Sequence, residues 1–264
     1  MNENIKWIAA AVAVVGLSIG GIVYFSQRDK APAPIDEPIA ALPDESALPE
    51  APAVEHPLPA AENQEALPSL DQSDGAMKNA ITGLIGKESV ERFVVTDDVI
   101  RHTVVSIDNL TNPQVAIRLR PVKPAPGTFA AGGTEEALVL DPANYERYKP
   151  LVQTVRSLDT GKLVETYVRH YPLFQEAYEN LGHPPQYFND RLVEVIDHLL
   201  LTPELADPIP LVRPSVQFQF ADPDLEARSA GQKLLIRMGS DNARAIKAKL
   251  RELRTELLAQ KPAN

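Results

Sequence analysis

Hydrophobic positions along the chain follow three different rules, and each rule predicts a different kind of segment. From Trp7 to Phe25, nineteen consecutive residues carry no charge. As a helix rising about 1.5 Å per residue, the run would reach roughly 28 Å, close to the ~30 Å hydrocarbon core of a bilayer. From residue 29 to 74 apolar residues stand singly among Pro, Ala, Glu and Asp, with no period and no aromatic ring. From residue 75 to 264 they recur mainly three and four apart, the spacing of helices that bury one face. The fold class this predicts is mostly α: a compact helical domain with a minor β element, preceded by one transmembrane helix and a disordered linker.

The apolar run is flanked by Trp7 at one end and Tyr24-Phe25 at the other, where aromatic rings favour the membrane interface. A cleaved signal peptide is the rival reading, but its apolar region is normally shorter, about 7–15 residues. The small-residue site beyond the run, Ala31-Pro32-Ala33, is followed by Pro34, which should block cleavage. The run is therefore expected to remain as an anchor (residues 1–28). Lys6 on one side nearly balances Arg28 and Lys30 on the other, so charge alone does not orient it. The short N-terminal overhang and the acidic segment that follows suit a translocated C-terminus: an inner-membrane, single-pass protein with a periplasmic domain. Within the run, Gly16 and Gly20 have the small-xxx-small spacing that lets two membrane helices pair, so a homodimer through this helix is one candidate contact.

Residues 29–74 predict a spacer. Nine prolines fall between Pro32 and Pro68, and the segment lacks the apolar surface needed to offset the entropy of ordering. Polyproline geometry at about 3.1 Å per residue sets an upper reach on the order of 140 Å. Pro57-Leu58-Pro59 is only a weak signal of a docking motif inside the spacer.

The domain at 75–264 divides into a series of expected helices. Ser73 or Asp74 can cap a helix through Ile85, and a second is expected over 88–95. Thr96 is placed to cap a third, with Val99, Ile100, Val104 and Ile107 on its apolar face. Four prolines and three glycines in residues 112–134 predict loop, with an edge strand at Val115, Ile117 and Leu119. Asp141-Pro142 begins a helix to Leu158, and Asp159-Thr160 begins another to Tyr171. Pro172 should kink or restart that helix, which then stops at Gly182 before Pro184 and Pro185. Residues 186–201 predict a helix burying Phe188, Leu192, Val195, Ile196 and Leu199. Val216, Phe218 and Phe220 alternate with polar residues as in a half-buried strand. Two closing helices follow, at 223–238 and 241–260, with a break at Gly239-Ser240. Ala243, Ile246, Leu250, Leu253 and Leu257 form a narrow seam on the last, suited to packing on its own domain or to a short coiled coil. Two heptads favour packing.

Charge sharpens this picture. The chain carries a net charge of -10, and the segment 29–74 holds eleven acids against Lys30 alone. The domain is nearly neutral and lacks the basic excess that phosphate-backbone binding requires, so nucleic acid is not an expected partner. Inside the domain, residues 228–264 carry nine bases and three acids. These closing helices can dock on the acidic remainder of the domain, or else offer a basic face to anionic lipid or to the spacer. There is no cysteine, hence no disulfide and no thiolate chemistry.

Several strings in the domain are distinctive. They are Tyr171-Pro-Leu-Phe-Gln-Glu-Ala-Tyr178-Glu-Asn-Leu-Gly182-His-Pro, Tyr187-Phe-Asn-Asp-Arg-Leu, Phe220-Ala-Asp-Pro-Asp-Leu-Glu226, Gly231-Gln-Lys233 and Arg237-Met-Gly239. With them the chain resembles, over roughly residues 68–260, family 3014 of the domains of unknown function. The resemblance implies an envelope protein of Gram-negative bacteria with an N-terminal membrane anchor. It implies no activity and transfers no functional residue.

No catalytic signature is present: no Gly-x-Ser-x-Gly elbow, phosphate-binding loop, dinucleotide fingerprint or His-Glu-x-x-His motif occurs. Glu194 and His198 share a helix face beside Asp197, but two ligands without a third do not make a metal site. No catalytic residue, metal or cofactor is therefore assigned. The informative residue is tyrosine, with six of seven between Tyr145 and Tyr187. Tyr167 and Tyr171 lie one helical turn apart, Tyr178 follows two turns on, and Arg169, His170 and Tyr187 lie among them. Flat rings with polar tips suit contact with protein, peptide or glycan, and equally suit helix packing. Three functions remain open: a membrane-tethered interaction or scaffold protein of the cell envelope, a glycan- or peptide-binding module of the periplasm, and an unrecognised hydrolase. The expected partners are the bilayer, through residues 7–25, and an unidentified envelope protein or glycan.

Overall fold

The structure is a computed structural model and describes residues 53–59 and 66–260. The membrane helix expected at 7–25, Gly16 and Gly20 within it, and most of the spacer lie outside those residues. Among the described residues, no helix is long and apolar enough to cross a membrane.

Eight helices and four short strands make up the described domain, in the order α1 (Asp74–Phe93), α2 (Val99–Asn109), β1 (Ala131–Thr134), β2 (Ala137–Leu140), α3 (Ala143–Arg156), α4 (Thr160–Glu179), α5 (Phe188–Leu200), β3 (Leu211–Val212), β4 (Gln219–Phe220), α6 (Pro223–Glu226), α7 (Ala230–Arg237) and α8 (Ser240–Ala259). The domain is mostly helical, as the spacing predicts. Within α1, Gly86 at φ 78°, ψ 155° makes a kink that separates the two helices expected from the sequence. α2 begins after Asp98, not at Thr96. Its cap comes from far away in the chain: the Asp74 carboxylate accepts the N–H groups of Asp98 (2.9 Å) and Val99 (3.1 Å).

Asp159 caps α4 by accepting the Lys162 N–H at 3.0 Å. Pro172 neither ends nor restarts this helix. An interior proline costs about 3 kcal/mol, and the buried residues on both sides of it, from Leu163 to Tyr178, hold the helix through that defect. The expected helix at 223–238 is in fact two, because Ser229 accepts the Gln232 N–H and starts α7 afresh.

The β elements depart most from expectation. Val115, Ile117 and Leu119 form no strand; residues Ile117–Leu119 make a single 3-10 turn. The hairpin lies later, where β1 and β2 pair antiparallel with Thr134 opposite Ala137. Gly133 makes it close: at φ +84° a side-chain Cβ would lie 2.1 Å from the Ala137 carbonyl oxygen. The strand expected at 216–220 shrinks to β4, which pairs with β3, and a bridge from Val139 to Pro210 joins the two hairpins. They cover a small second core of Leu140, Ile209, Leu211, Phe220 and Ile236.

The main core is built around α8, which lies against α3, α4, α5 and α7, while α2 packs across α4 and α5. All five residues of its predicted seam are buried, so the seam packs within the domain. The basic residues beside the seam are used there as well. Arg254 bonds Asp197 (2.5 and 3.0 Å), and Arg244 pairs with Glu204. Lys247 and Lys249, both 6% exposed, donate to the carbonyls of Thr202 and Leu158 just past the C-terminal ends of α5 and α3. Cations at those ends offset the negative pole of a helix and satisfy its orphan carbonyls.

Packing does not begin at residue 75. Leu70 is buried in the main core, and Leu67 and Leu58 lie against it. The boundary expected between linker and domain at 74/75 therefore falls inside the packed unit, because these three leucines supply apolar surface that the acidic composition of the segment conceals.

Candidate peptide-docking site

The tyrosines lie around the junction of α4 and α5. Tyr167, Phe174, Tyr178 and Phe188 form one aromatic cluster, with ring centroids 5.4 Å apart for Tyr167–Phe174 and 5.8 Å for Phe174–Phe188. Tyr171 meets Tyr167 edge-on at 5.8 Å, and His183 stacks on Tyr178 at 4.6 Å. Tyr167 and Tyr178 are buried, whereas Tyr171 and Tyr187 are half-buried. Each hydroxyl of the cluster has a partner: Tyr167 donates to Asn189 Oδ1, Tyr171 to Gln175 Oε1 and Tyr178 to Gln186 Oε1. Burial pushes the Tyr171 hydroxyl up to about 12 and Tyr167 well above its ordinary range, so all remain neutral donors. His170 is buried, with Nδ1 bonded to the Thr166 carbonyl, and Arg169 is exposed on the same helix.

These rings hold the first turn of α5. Gln175 Oε1 accepts the Phe188 N–H at 2.8 Å, satisfying one of the free donors at the helix start. Next to it, Asn189 is 1% exposed and used at both ends. Its Oδ1 accepts from Tyr167 at 3.2 Å, and its Nδ2 donates to the carbonyl of His56 at 2.7 Å. Asp190 completes the arrangement: its carboxylate accepts the N–H of Glu55 at 3.1 Å and of His56 at 2.7 Å. A carboxylate in the first turn of a helix is also favoured by the helix dipole. Arg191 turns the other way and ties α5 to the end of α2, through Asp108 and Thr111.

Residues 53–59 are thus docked on α5 through their backbone. They are non-helical, bend at Glu55–His56, and place Leu58 against the main core. The side chains of Glu55 and Pro57 are exposed. Of the six expected contact residues, Tyr167 reaches this segment indirectly by orienting Asn189. Tyr171 and Tyr178 fasten Gln175 and Gln186 at the start of α5, and Tyr187 immediately precedes the helix. Sequence reasoning missed Asn189, Asp190 and His56. Two of them stand in the string Tyr187-Phe-Asn-Asp-Arg-Leu, where adjacent Asn and Asp at a helix start were a usable signal.

A Ser–His pair does occur: His198 Nε2 lies 2.8 Å from Ser229 Oγ. Ser229 is buried, and its oxygen already caps α7. The remaining strings serve packing. Gly231 admits Leu199 and Leu110 where a Cβ would lie 2.5 Å from Leu199, and Lys233 pairs with Glu226 at 3.1 Å. Glu194 bonds Arg191. Among the described residues, no group of three or more His, Asp or Glu is placed to hold a metal.

Fold and site together define a helical domain whose α5 holds the backbone of the chain's own residues 55 and 56. The chain belongs to the family described as protein of unknown function (DUF3014), whose model matches residues 99–254, more than half of its length. No curated protein and no solved structure matches it.

Proposed function

We propose that the protein is a membrane-tethered interaction module of the cell envelope, which holds a peptide-docking domain outside the cytoplasm. The observation that carries this reading is the docking of residues 53–59 on Asn189 and Asp190. Two consecutive N–H groups meet a carboxylate and the next carbonyl meets an amide, so what these side chains hold is polypeptide backbone. The apolar run at Trp7–Phe25 supports the anchor, and the acidic, proline-rich segment supports a spacer that lets the domain reach targets away from the bilayer.

The test is in-cell photocrosslinking of the full chain with a reactive residue at exposed Gln186, just before α5, and a control at exposed Lys87 on α1. An envelope polypeptide captured at 186 and absent at 87 is expected. Capture at 186 of glycan or of nothing at all would defeat the reading.

A further inference from the structure

The site on α5 has the composition of a recognition site with a resident ligand. We propose that it binds peptides with two consecutive amide-bearing residues followed by Pro-apolar-Pro, and that Glu55–Pro59 is its exchangeable occupant. This rests on the interaction-module reading and names the partner chemistry of that same site.

The machinery is set before any ligand arrives. Tyr167, Phe188 and Gln175 belong to the domain, and the Tyr167 hydroxyl holds Asn189 Oδ1, which leaves Nδ2 aimed at a ligand carbonyl. Asp190 reads two N–H groups in succession, so proline at either of those ligand positions would remove a bond. The third position, Pro57, lacks an N–H. The fourth, Leu58, is the one large apolar side chain that reaches the core. His56 and Leu58 each precede a proline, and this biases both toward extended backbone before binding. The ligand therefore loses little conformational freedom on docking.

The occupant is bound weakly enough to exchange. Three hydrogen bonds to the backbone and one leucine make a small contact, and Glu55 and Pro57 remain exposed. What keeps the segment in place is attachment: residues 60–65 join it to Ala66, and a short link supplies an effective concentration in the millimolar range. A partner peptide of the same chemistry, delivered at high local concentration, competes for the site.

Binding of a fluorescent peptide with the sequence of residues 53–59 to the full chain tests this. In a released variant, His56→Pro with Leu58→Ser, the resident segment loses the His56 N–H bond to Asp190 and the leucine contact while the site on α5 is untouched. The peptide should bind the released variant on the order of tenfold more tightly than the unaltered chain, which still holds its own segment. Adding Asp190→Ala to the released variant should abolish binding. A peptide with proline at the position of His56, which lacks one of the three bonds, should bind about tenfold more weakly. Melting curves establish that each variant is folded. No binding to a folded released variant, or equal binding to released and unaltered chains, overturns the proposal. So does a dimer in sedimentation in which one copy's segment fills the other's site. Failure here with an envelope polypeptide still captured at residue 186 would remove this ligand chemistry and leave the interaction module standing.

Discussion

The ring of Tyr145 lies flat against Gly239: a Cβ at that glycine would come within 2.6 Å of the ring's Cγ. Gly239 stands at φ +85°, ψ 154°, a region essentially reserved for glycine, and it starts α8. Gly86 adopts nearly the same backbone angles with nothing within 4 Å of a Cβ. The pair separates backbone strain from collision. Gly86→Ala should cost about 1–3 kcal/mol, from the conformation alone. Gly239→Ala should cost about 1–3 kcal/mol more, as for an overpacked core site. Urea unfolding of the two variants measures the difference, and equal losses would show that the Tyr145 contact yields freely.

Leu250 and Leu253 seat the last helix against its neighbours. Leu250 is 0% exposed. Replacement of either by Ala should lower stability by about 2–5 kcal/mol, the range for a buried leucine that leaves a cavity. The oligomeric state should not change, since the seam is consumed within the domain. A concentration-dependent dimer that dissociates on Leu253→Ala without loss of melting temperature would contradict this packing.

Acid should weaken the fold through two imidazoles. Burial pushes His170 and His198 down from the ordinary histidine value, and neighbouring arginines add to the effect. The folded chain therefore resists protonating them, while the unfolded chain takes up protons near about pH 6.5. Their contribution is complete above that value and is lost as pH falls toward the lowered values in the folded chain. In His170→Gln with His198→Gln, the drop in stability between about pH 7.5 and about pH 5.5 should shrink. An unchanged drop would locate the acid sensitivity elsewhere.

The apolar run predicts topology. The full chain should stay with membranes through alkaline washing, and a C-terminal reporter that works only outside the cytoplasm should be active. Activity of a cytoplasm-only reporter in its place would reverse the proposed orientation.

Much of the helical frame is legible because it depends on neighbours in sequence. Phe188, Leu192, Val195, Ile196 and Leu199 are spaced for one helix face, and all are buried. Gly86 breaks α1 where a glycine between two apolar patterns suggests a break. The hairpin at β1 and β2 was hidden because Gly132-Gly133 has the composition of a loop, yet Gly133 is what lets the strands approach. The expected strand at Val115–Leu119 has the right alternation but no partner strand among the described residues; Ser106 instead bonds the Leu119 carbonyl. The docking site is the least legible. Asp190 meets His56 across 134 positions, and Asp74 caps a helix 24 residues away. No local pattern encodes such pairings, whereas the tyrosines drew notice as a type and turned out to support the binding groups from beneath.

The position of α8 in the chain has a consequence for biogenesis. It is the last of these helices to leave a ribosome, yet it closes the apolar faces of α3, α4 and α5. Its lysines finish the ends of α3 and α5. Until it emerges, the faces of α3, α4, α5 and α7 that lie against it have no cover. A message truncated before Ser240 would leave those four faces bare and the end carbonyls of α3 and α5 without their lysines, so the product should be open to proteolysis.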